Sequence, residues 1–315
     1  MRIIRGITAL QEMSSQGQSL ASVVTIGNFD GVHLGHQTIL GQLKRLANLN
    51  QVQSVAILFE PQPQEYFIRK GGAPARLTRF IEKVNLLDQQ GVDCIVVLRF
   101  TPSFAQLSAD EFVKQILVQG LRAKHVIVGD DFCFGRDRQG NFTSLVESGR
   151  QFGFRVENTA TFSIQNKRVS STWVRASLQH GNFQQASRLL GRDYGLSGRV
   201  IHGHKRGRTI GFPTANIPVR RTLSPLNGVY AVQIHRHNSN PLFGVANIGS
   251  RPTVDDDTRI LLEVHIFDFN GDLYGQRVEV VFQHKIRAEQ TFSDFEALKT
   301  QISIDCQAAK DFFAS

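Results

Sequence analysis

Two histidines one helical turn apart are the residues whose type and spacing point most directly to chemistry. His33 and His36 close the stretch 27–36, which reads GNFDGVHLGH. Residues three apart on a helix share a face, so both rings can point at one place. Two imidazoles there can stabilise the charge that develops between the α-phosphate of a nucleotide and its leaving pyrophosphate. The alternative is that the two rings cap a helix or bind a metal ion.

The elements on either side favour the phosphate interpretation. The β-branched run 22–26 predicts a buried strand, and apolar residues at helical spacing in 37–46 predict a helix. A helix start offers free backbone N–H groups and the positive end of the dipole, and glycines let a phosphate approach the main chain. We therefore expect the nucleotide phosphates to lie against Gly27, Asn28, Phe29, Asp30 and Gly35.

This stretch resembles the His-x-Gly-His signature of the nucleotidyltransferase superfamily. Over its whole length it is similar to that of bacterial bifunctional riboflavin kinase/FAD synthetases. The resemblance implies transfer of AMP from ATP to FMN, which gives FAD and pyrophosphate. The FMN phosphate is already an anionic nucleophile and needs no base, so His33 and His36 would act by stabilising charge.

The first half of the chain predicts an α/β fold. Further strands are expected at 54–59, 94–98, 125–128 and 154–156, and helices at 78–89, about 108–119 and 145–152. This alternation is typical of a Rossmann-like parallel sheet with helices on both faces. Ligands of such sheets bind beyond the carboxyl ends of the strands. The turn 27–36 and the loop 129–135 both follow strand ends, so we expect them to open toward one crevice.

A hydroxyl-rich motif, SSTWVR, occupies residues 170–175 and precedes a predicted helix. On chemistry alone its hydroxyls can bind phosphate or simply cap the helix. It resembles the family's Ser-Ser-Thr-x-x-Arg motif, which implies that Ser171, Thr172 and Arg175 hold the ATP phosphates. Trp173 stands where many relatives have arginine, so one cationic contact is missing.

Two other segments of the first half match the family. The loop 129–135 resembles the family's Gly-x-Asp/Asn-Phe-x-Phe-Gly loop, which implies that Asp131 and Phe134 line the flavin side. The turn 59–63 also matches, except that Gln62 stands where histidine is usual. We therefore do not expect Gln62 to take over any charged role that the family's histidine has.

The predicted pattern of elements changes near residue 185, from alternating strands and helices to successive short strands. Short strand-like runs follow at 199–201, 215–217, 229–232, 242–245, 262–266 and 277–281, and then a helix over 293–313. Runs separated by Gly, Pro and Asn turns predict a small antiparallel six-stranded β-barrel with a C-terminal helix. We expect an FMN adenylyltransferase domain over residues 1–185 and a riboflavin kinase domain over residues 186–315.

The stretch 203–216, GHKRGRTIGFPTAN, is the densest signal in the second half. Its glycines and basic residues can wrap phosphates, although a surface turn is the alternative. Thr214 and Asn216 lie two apart on a strand and face the same side, and their oxygens suit Mg²⁺. The whole stretch resembles the riboflavin kinase signature without departure at the fixed positions. The resemblance assigns phosphate binding to Gly203, Lys205, Arg208 and Gly211.

Phosphorylation of riboflavin needs a base, because the ribityl 5′-hydroxyl loses its proton as it attacks the γ-phosphate of ATP. Glu263 lies in the apolar run LLEVHI, where a glutamate is usually solvent-facing. Its position matches the family's catalytic glutamate, which implies the role of base. Arg287 and Glu289 match the family's Arg-x-Glu turn near the flavin.

The composition bears on the number of domains and on the cellular compartment. The chain has 315 residues, of which 41% are hydrophobic and 20% charged, which suits two domains. No run is long and apolar enough for a membrane span, and the N-terminus has no signal-peptide core. Cys94, Cys133 and Cys306 are scattered and have no metal-type spacing, which suits a reducing cytoplasm. We expect a cytoplasmic protein with no membrane partner.

The net charge bears on the kind of partner. Lys and Arg number 36 against 27 Asp and Glu, giving a formal charge of +9, but only 205–208 clusters basic residues. We interpret this as a solvated surface with phosphate contacts rather than a nucleic-acid face. The expected ligands are ATP as substrate, Mg²⁺, riboflavin, FMN as intermediate and FAD as product. We expect a monomer or a weak homo-oligomer.

Two alternatives stay open from sequence. In the first, the N-terminal domain adenylylates FMN while the barrel only senses flavin, and an inert Glu263 would favour it. In the second, the protein binds RNA, since aminoacyl-tRNA synthetases share the His-x-Gly-His type of motif. Against the second, the chain has no Lys-x-Ser-Lys-Ser companion and no segment that resembles an anticodon domain.

Overall fold

The chain divides into two units. The structure, a computed structural model, describes residues 1–16, 21–68, 72–129, 131–203, 211–237, 239–251 and 259–315. One unit comprises Met1–Pro74 and Phe80–Val169, and the other comprises Ala75–Arg79 and Ser170–Ser315. Residues 170–185 thus pack with the second unit, as does the short segment 75–79. The boundary between catalytic domains at residue 185 stays a prediction.

The first unit is built on a parallel sheet. Its strands are β1 Arg2–Arg5, β2 Ser22–Ile26, β3 Gln53–Glu60, β4 Cys94–Arg99, β5 Ala123–Val128 and β6 Arg155–Asn158. Its helices are α1 Gly6–Ser15, α2 Leu34–Leu49, α3 Pro63–Phe67, α4 Phe80–Gln89, α5 Pro102–Ala105, α6 Ala109–Phe112 continuing as a π-helix over Val113–Gly120, a 3₁₀ turn Arg136–Arg138, and α7 Phe142–Phe152. A small hairpin follows, β7 Ser163–Ile164 and β8 Lys167–Arg168. In the described ranges the six-stranded order is β1-β4-β3-β2-β5-β6.

Alternate residues of the central strands pack into two separate apolar clusters. Val24 and Ile57 belong to one apolar cluster, whereas Val23 and Leu58 belong to the other. Every residue of β2 is buried. A strand covered by helices on both faces is buried on both, which is why β-branched residues run from Val23 to Ile26 without regular polar alternation; the polar Ser22 and Thr25 are buried as well. The expected α/β fold is confirmed.

Local signals mark the start of α6 as the sequence predicts. The Glu111 backbone N–H donates to Ser108 Oγ at 3.2 Å, and the Ser108 N–H donates to Glu111 Oε2 at 2.8 Å. This reciprocal pair is a capping box, which satisfies two of the N–H groups that a helix start leaves free. The strand–helix pair β1–α1 and the hairpin β7–β8 lack such a signal and were not expected.

The second unit is a barrel with flanking helices. Its elements are α8 Ser171–Gln179, α9 Phe183–Leu190, β9 Gly195–Arg199, β10 Thr214–Pro218, β11 Gly228–Arg236, β12 Leu242–Arg251, β13 Arg259–Ile266, β14 Arg277–Arg287 and α10 Phe295–Ala314. The described strands pair antiparallel in the order β10-β13-β12-β11-β14-β9. A bridge between Ile201 and Asn216 joins the two outer strands, so the six-stranded sheet is nearly closed. The predicted barrel is confirmed.

The first barrel strand lies earlier than the sequence predicts. The expected strand at 199–201 is wrong, because β9 spans Gly195–Arg199 and Ile201 makes only the isolated bridge. Two glycines hide this strand from a search for β-branched residues. A Cβ at Gly198 would collide with the Ile217 side chain, and one at Gly195 would come within 2.9 Å of Glu279 Oε1. Close approach of the neighbouring strand therefore selects glycine at position 198 over a better strand former, whereas the flexible Glu279 side chain could move away from a Cβ at position 195.

Candidate active sites

The turn after β2 is held in a backbone conformation that ordinary residues avoid. Phe29 and Val32 have φ of 46° and 41°, and the Val32 N–H donates to the Phe29 carbonyl at 3.2 Å. A left-handed backbone is costly for a β-branched residue, so the surrounding packing must impose it. Both side chains are 1% exposed and lie in one core cluster. The turn is therefore fixed by packing before any ligand binds.

The structure brings the two predicted histidines together at the start of α2. His33 is the N-cap residue, and its Nδ1 accepts the backbone N–H of His36 at 3.3 Å. The two rings stack with centroids 3.7 Å apart and planes 17° apart. Phe29 lies against His36 with a centroid distance of 5.1 Å. The pair is thus a rigid element at a helix N-terminus.

His36 is held in its neutral form. Burial of the imidazole is the largest cause that places its pKa well below the ordinary value, followed by the positive fields of His33, Lys83 and Arg168. Its Nδ1 is buried and has no hydrogen-bond partner among the described residues. At neutral pH His36 is therefore an uncharged imidazole, with one N–H that can donate and one nitrogen that can accept.

Gly35 is a tight point in this arrangement. A Cβ there would lie 3.2 Å from His33 Cε1 and Nδ1 and 3.4 Å from the Val169 carbonyl oxygen. Gly35→Ala should therefore push the His33 ring by a few tenths of an ångström while favouring the helix backbone. We expect FAD formation from FMN to fall about 10-fold, since small misplacements of reacting groups are costly. Steady-state rates measure this effect.

Gly41→Ala is the matched control for Gly35→Ala. Gly41 lies on the same helix, and a Cβ there would meet no atom within 4 Å. We expect it to leave the rate of FAD formation unchanged and to raise thermal stability slightly. Equal loss of activity in both variants would show that helix backbone, and not the His33 ring, controls the rate.

Arg168 is a site residue that the sequence analysis missed. Its Nη2 donates to Asp131 Oδ1 at 3.0 Å, and both side chains are exposed. The next residue, Val169, packs its carbonyl against Gly35 at the start of α2. An arginine beside a helix N-terminus suits a phosphate. No spacing rule marks Arg168, which reaches the histidine pair only through the fold.

A chain of aromatic rings lies at the carboxyl ends of β3 and β4. Phe100 contacts Tyr66, Phe104 and Phe59 with ring centroids 5.3, 5.5 and 5.9 Å apart. Tyr66 and Phe100 are partly exposed, so this array of tilted rings offers an apolar surface. Phe134, predicted to line the flavin side, is only 8% exposed and belongs to the core. Its contact with flavin stays a prediction.

Gln62, which replaces the usual histidine, is built into the same region. It is 5% exposed, and its backbone N–H donates to Glu65 Oε2 at 3.0 Å at the start of α3. Its Nε2 is buried without a hydrogen-bond partner among the described residues. The departure from the family pattern thus leaves a neutral, buried amide at this position.

The motif 170–175 belongs to the second unit. Ser170 Oγ accepts the Trp173 backbone N–H at 3.3 Å, so the cap is Ser170 and not Ser171. Ser171 and Thr172 then form the first turn of α8. Arg175 Nε donates to the Ala75 carbonyl at 2.6 Å. The assignment of Ser171, Thr172 and Arg175 to the ATP phosphates stays a prediction.

Five strands of the barrel carry a single row of side chains. The register places Asn216 opposite Glu263, and Glu263 opposite Asn247. Asn247 lies opposite Val229, which lies opposite Arg287. Directly opposed residues of antiparallel strands project from the same face with Cβ atoms about 5 Å apart. The predicted metal residue, base and flavin residue are therefore brought onto one face, with Asn247 between them.

The end of this row at Asn216, predicted to bind the metal ion, is compact. Asn216 is 7% exposed, and its Nδ2 donates to the Thr214 carbonyl at 3.2 Å. Gly203 packs directly on the Asn216 amide, and a Cβ there would lie 2.7 Å from Oδ1. Gly211 is exposed with φ of 86°, a conformation that suits glycine. Lys205 and Arg208 lie outside the described residues.

A pocket adjoins Thr214 on the barrel. Its volume is about 100 Å³, and its lining includes Val264, Ile266, Phe269 and Tyr274. The lining combines apolar side chains with polar groups from Thr214, Asp272 and Tyr274. A flat ring with a few polar atoms fits such a lining.

The predicted flavin residues lie where β14 ends. Arg287 Nε and Nη2 donate to the Asp305 carboxylate at 2.9 and 2.8 Å. Glu289 packs over Gly249, where a Cβ would lie 2.7 Å from Glu289 Cδ. Asn247 and Asp305 were both missed from sequence, because cross-strand register and helix docking decide their positions.

Metal-binding clusters and membrane-spanning helices are absent from the described ranges. Within the described ranges, no group of three or more His, Cys, Asp and Glu side chains is arranged to hold a metal ion. No helix in the described part of the chain is long and apolar enough to cross a membrane. Neither result bears on Thr214 and Asn216, which offer a hydroxyl and an amide.

Comparison with known proteins finds a family for each half of the chain. Residues 15–173 match the FAD synthetase family model, and residues 190–313 match the riboflavin kinase family model. A bifunctional riboflavin kinase/FMN adenylyltransferase of Haemophilus influenzae is 48% identical over 315 residues, covering 100% of both chains. The Escherichia coli K12 protein of the same name is 47% identical, covering 99% of this chain and 98% of that protein.

A solved structure supports the same two-part fold. The chain described as a macrolide-efflux protein from Streptococcus pneumoniae superposes with a TM-score of 0.77 and is 31% identical. The match covers 92% of this chain and 94% of that chain. From the relatives that are nearly half identical over their full length, this chain belongs to the family of bifunctional riboflavin kinases/FMN adenylyltransferases.

Proposed function

We propose that this protein makes FAD from riboflavin in two ATP-dependent steps. The kinase, placed in residues 186–315, transfers the γ-phosphate of ATP to riboflavin and yields FMN. The adenylyltransferase, placed in residues 1–185, transfers AMP from a second ATP to FMN. The observation that carries the proposal is the cross-strand pairing of Asn216 with Glu263, which puts a metal-binding amide beside a carboxylate base.

In the kinase step, Glu263 takes the proton of the riboflavin 5′-hydroxyl. The hydroxyl oxygen forms a bond to the γ-phosphorus as the bridge to ADP breaks. Asn247, next in the row, is placed to hold the ribityl chain or the Glu263 carboxylate by its amide. The half-buried position of Glu263 on the face shared with Asn216 supports this role.

Magnesium fits the residues at the other end of the row. Thr214 and Asn216 offer neutral oxygens from one face of β10, and Gly203 leaves the Asn216 amide uncrowded by a Cβ. Mg²⁺ prefers a few protein oxygens combined with substrate phosphates. When bound, it would neutralise charge on the ATP phosphates. The pocket beside Thr214 then suits the adenine ring.

In the adenylyl step, an oxygen of the FMN phosphate attacks the α-phosphorus of ATP, and pyrophosphate leaves. His36, neutral and preorganised, donates a hydrogen bond to the oxygens that gain charge. Arg168, which Asp131 holds beside the helix start, supplies positive charge for the phosphates. The array around Tyr66 and Phe100 offers an apolar surface for the flavin ring.

The remaining assignments complete the proposal. Ser171, Thr172 and Arg175 hold ATP phosphates, and Phe134 and Glu289 lie near flavin rings. The three cysteines are free, which agrees with a cytoplasmic enzyme. We expect a monomer or a weak homo-oligomer that acts on small molecules.

Two ATP analogues test the two steps separately in the full-length protein. α,β-Methylene-ATP can donate its γ-phosphate but cannot release AMP, whereas β,γ-methylene-ATP has the reverse property. With riboflavin, we expect the first analogue to give FMN and no FAD. With FMN, we expect the second to give FAD. FAD from the second analogue without FMN from the first would favour the alternative in which the barrel only senses flavin.

A further inference from the structure

A buried ion pair joins the last barrel strand to the C-terminal helix. Arg287 Nε donates to Asp305 Oδ1 and Oδ2 at 2.9 and 3.0 Å, and its Nη2 donates to Oδ2 at 2.8 Å. Asp305 is 2% exposed and also accepts Gln301 Nε2 at 2.9 Å. Such a fork is the geometry that arginine makes and lysine does not.

This pair lies at one end of the row of cross-strand neighbours that runs from Asn216 through Glu263 and Asn247. Arg287 is opposite Val229, two strands away from Asn247. Val229 also packs in the cluster that α10 forms with the barrel through Cys306 and Ala309. The contact between Arg287 and Asp305 therefore fixes α10 directly over the flavin end of the row.

The same contact sets the turn that follows β14. Arg287 Nη1 donates to the Ala288 carbonyl at 3.0 Å, and the guanidinium lies 5.6 Å from the Phe292 ring centroid. Glu289, in the same turn, packs on Gly249 of β12. One carboxylate on α10 thus orients a turn in which two residues are assigned to flavin.

We propose that Asp305 is a positioning residue for riboflavin binding, acting through Arg287. This rests on the proposed kinase function of the barrel. The fork of Arg287 is directed at Asp305, so its main role is to hold the turn 287–292 and α10 in the shape that accepts the flavin ring. Loss of Asp305 should weaken riboflavin binding more than it slows phosphoryl transfer.

Asp305→Asn in the full-length protein is the first test. Asparagine keeps the shape but loses the charge and the double acceptor. We expect the KM for riboflavin to rise about 10-fold, with kcat and the KM for ATP within about threefold of wild type. FAD formation from supplied FMN should not change.

Asp311→Asn is the matched control. Asp311 lies on the same helix and accepts a hydrogen bond from the glutamine four residues earlier, Gln307, at 2.8 Å, but it is exposed. We expect wild-type kinetics from it. A riboflavin KM that rises equally in both variants would overturn the proposal, since any carboxylate of the helix would then serve.

The double variant Arg287→Met/Asp305→Leu separates positioning from stability. Removing one partner of a buried pair is strongly destabilising, whereas replacing both with apolar residues of similar volume is often tolerated. We expect this variant to fold, by circular dichroism and thermal unfolding, and to keep the raised riboflavin KM. Because Arg287 is itself assigned to flavin, a raised KM here supports the pair as a unit, whereas a wild-type KM overturns the proposal even if Asp305→Asn does not fold.

A wild-type riboflavin KM in the folded double variant, or in folded Asp305→Asn, would overturn the proposal. The pair would then serve stability alone. Failure of the wild-type chain to make FMN from riboflavin is a different result, because it would contradict the kinase function itself.

Discussion

His36→Ala should lower FAD formation from FMN by about 10²–10³-fold, the loss expected for one preorganised donor at developing charge. FMN formation from riboflavin should stay near wild type. The imidazole is held in place by stacking on His33 at 3.7 Å and by its position at the start of α2. Its neutral state leaves an N–H for donation. Alanine removes that donor without filling its space.

His36→Gln serves as a comparison for this variant. Its amide can still donate one hydrogen bond, so we expect it to retain more FAD formation than His36→Ala. Initial rates of both half-reactions, with circular dichroism to check folding, measure the difference. A parallel fall of FMN formation would show that His36 supports the whole fold or both sites, and the assignment to adenylyl transfer would then be wrong.

Glu263→Gln should abolish most riboflavin phosphorylation and spare adenylylation of supplied FMN. A primary hydroxyl is a poor nucleophile at neutral pH, and a positioned base contributes roughly 10²–10⁴ in rate. Glutamine keeps the size and one oxygen but cannot take the proton. Its cross-strand neighbours Asn216 and Asn247 carry amide side chains. A neutral glutamine at position 263 can therefore pack between them.

Glu279→Gln is the control for this prediction. Glu279 is another strand glutamate of the barrel, but it is exposed and lies opposite Ser197 of β9, a strand that contributes no residue to the row. We expect it to leave both activities unchanged. A folded Glu263→Gln protein that makes FMN within a few-fold of wild type would remove Glu263 as the base.

Short sequence patterns predicted those elements whose structure depends mainly on residues close together in the chain. The two-sided burial of β2 favours β-branched residues on both of its faces, and the capping box at Ser108 fixes the start of a helix. The strand β9 escaped because close packing selects Gly198 over a residue with strand preference. Sequence patterns report what a residue prefers, and here a neighbour across the barrel overrides that preference.

The site was predictable where motifs are contiguous and not where the fold assembles it. His33 and His36 share one helical turn, and Thr214 and Asn216 share one strand face. Arg168, Asn247 and Asp305 reach their sites through hairpin placement, strand register and helix docking. None of these follows from spacing, because a register shift of one residue would move each strand residue to the other face.

The most direct test of the account is a time course of the full-length protein with riboflavin, ATP and Mg²⁺, with riboflavin, FMN and FAD resolved by chromatography. The account predicts that FMN appears first and FAD follows, with one ADP released for each riboflavin consumed and one pyrophosphate for each FAD. Conversion of supplied FMN to FAD, with riboflavin left unchanged under the same conditions, would contradict it.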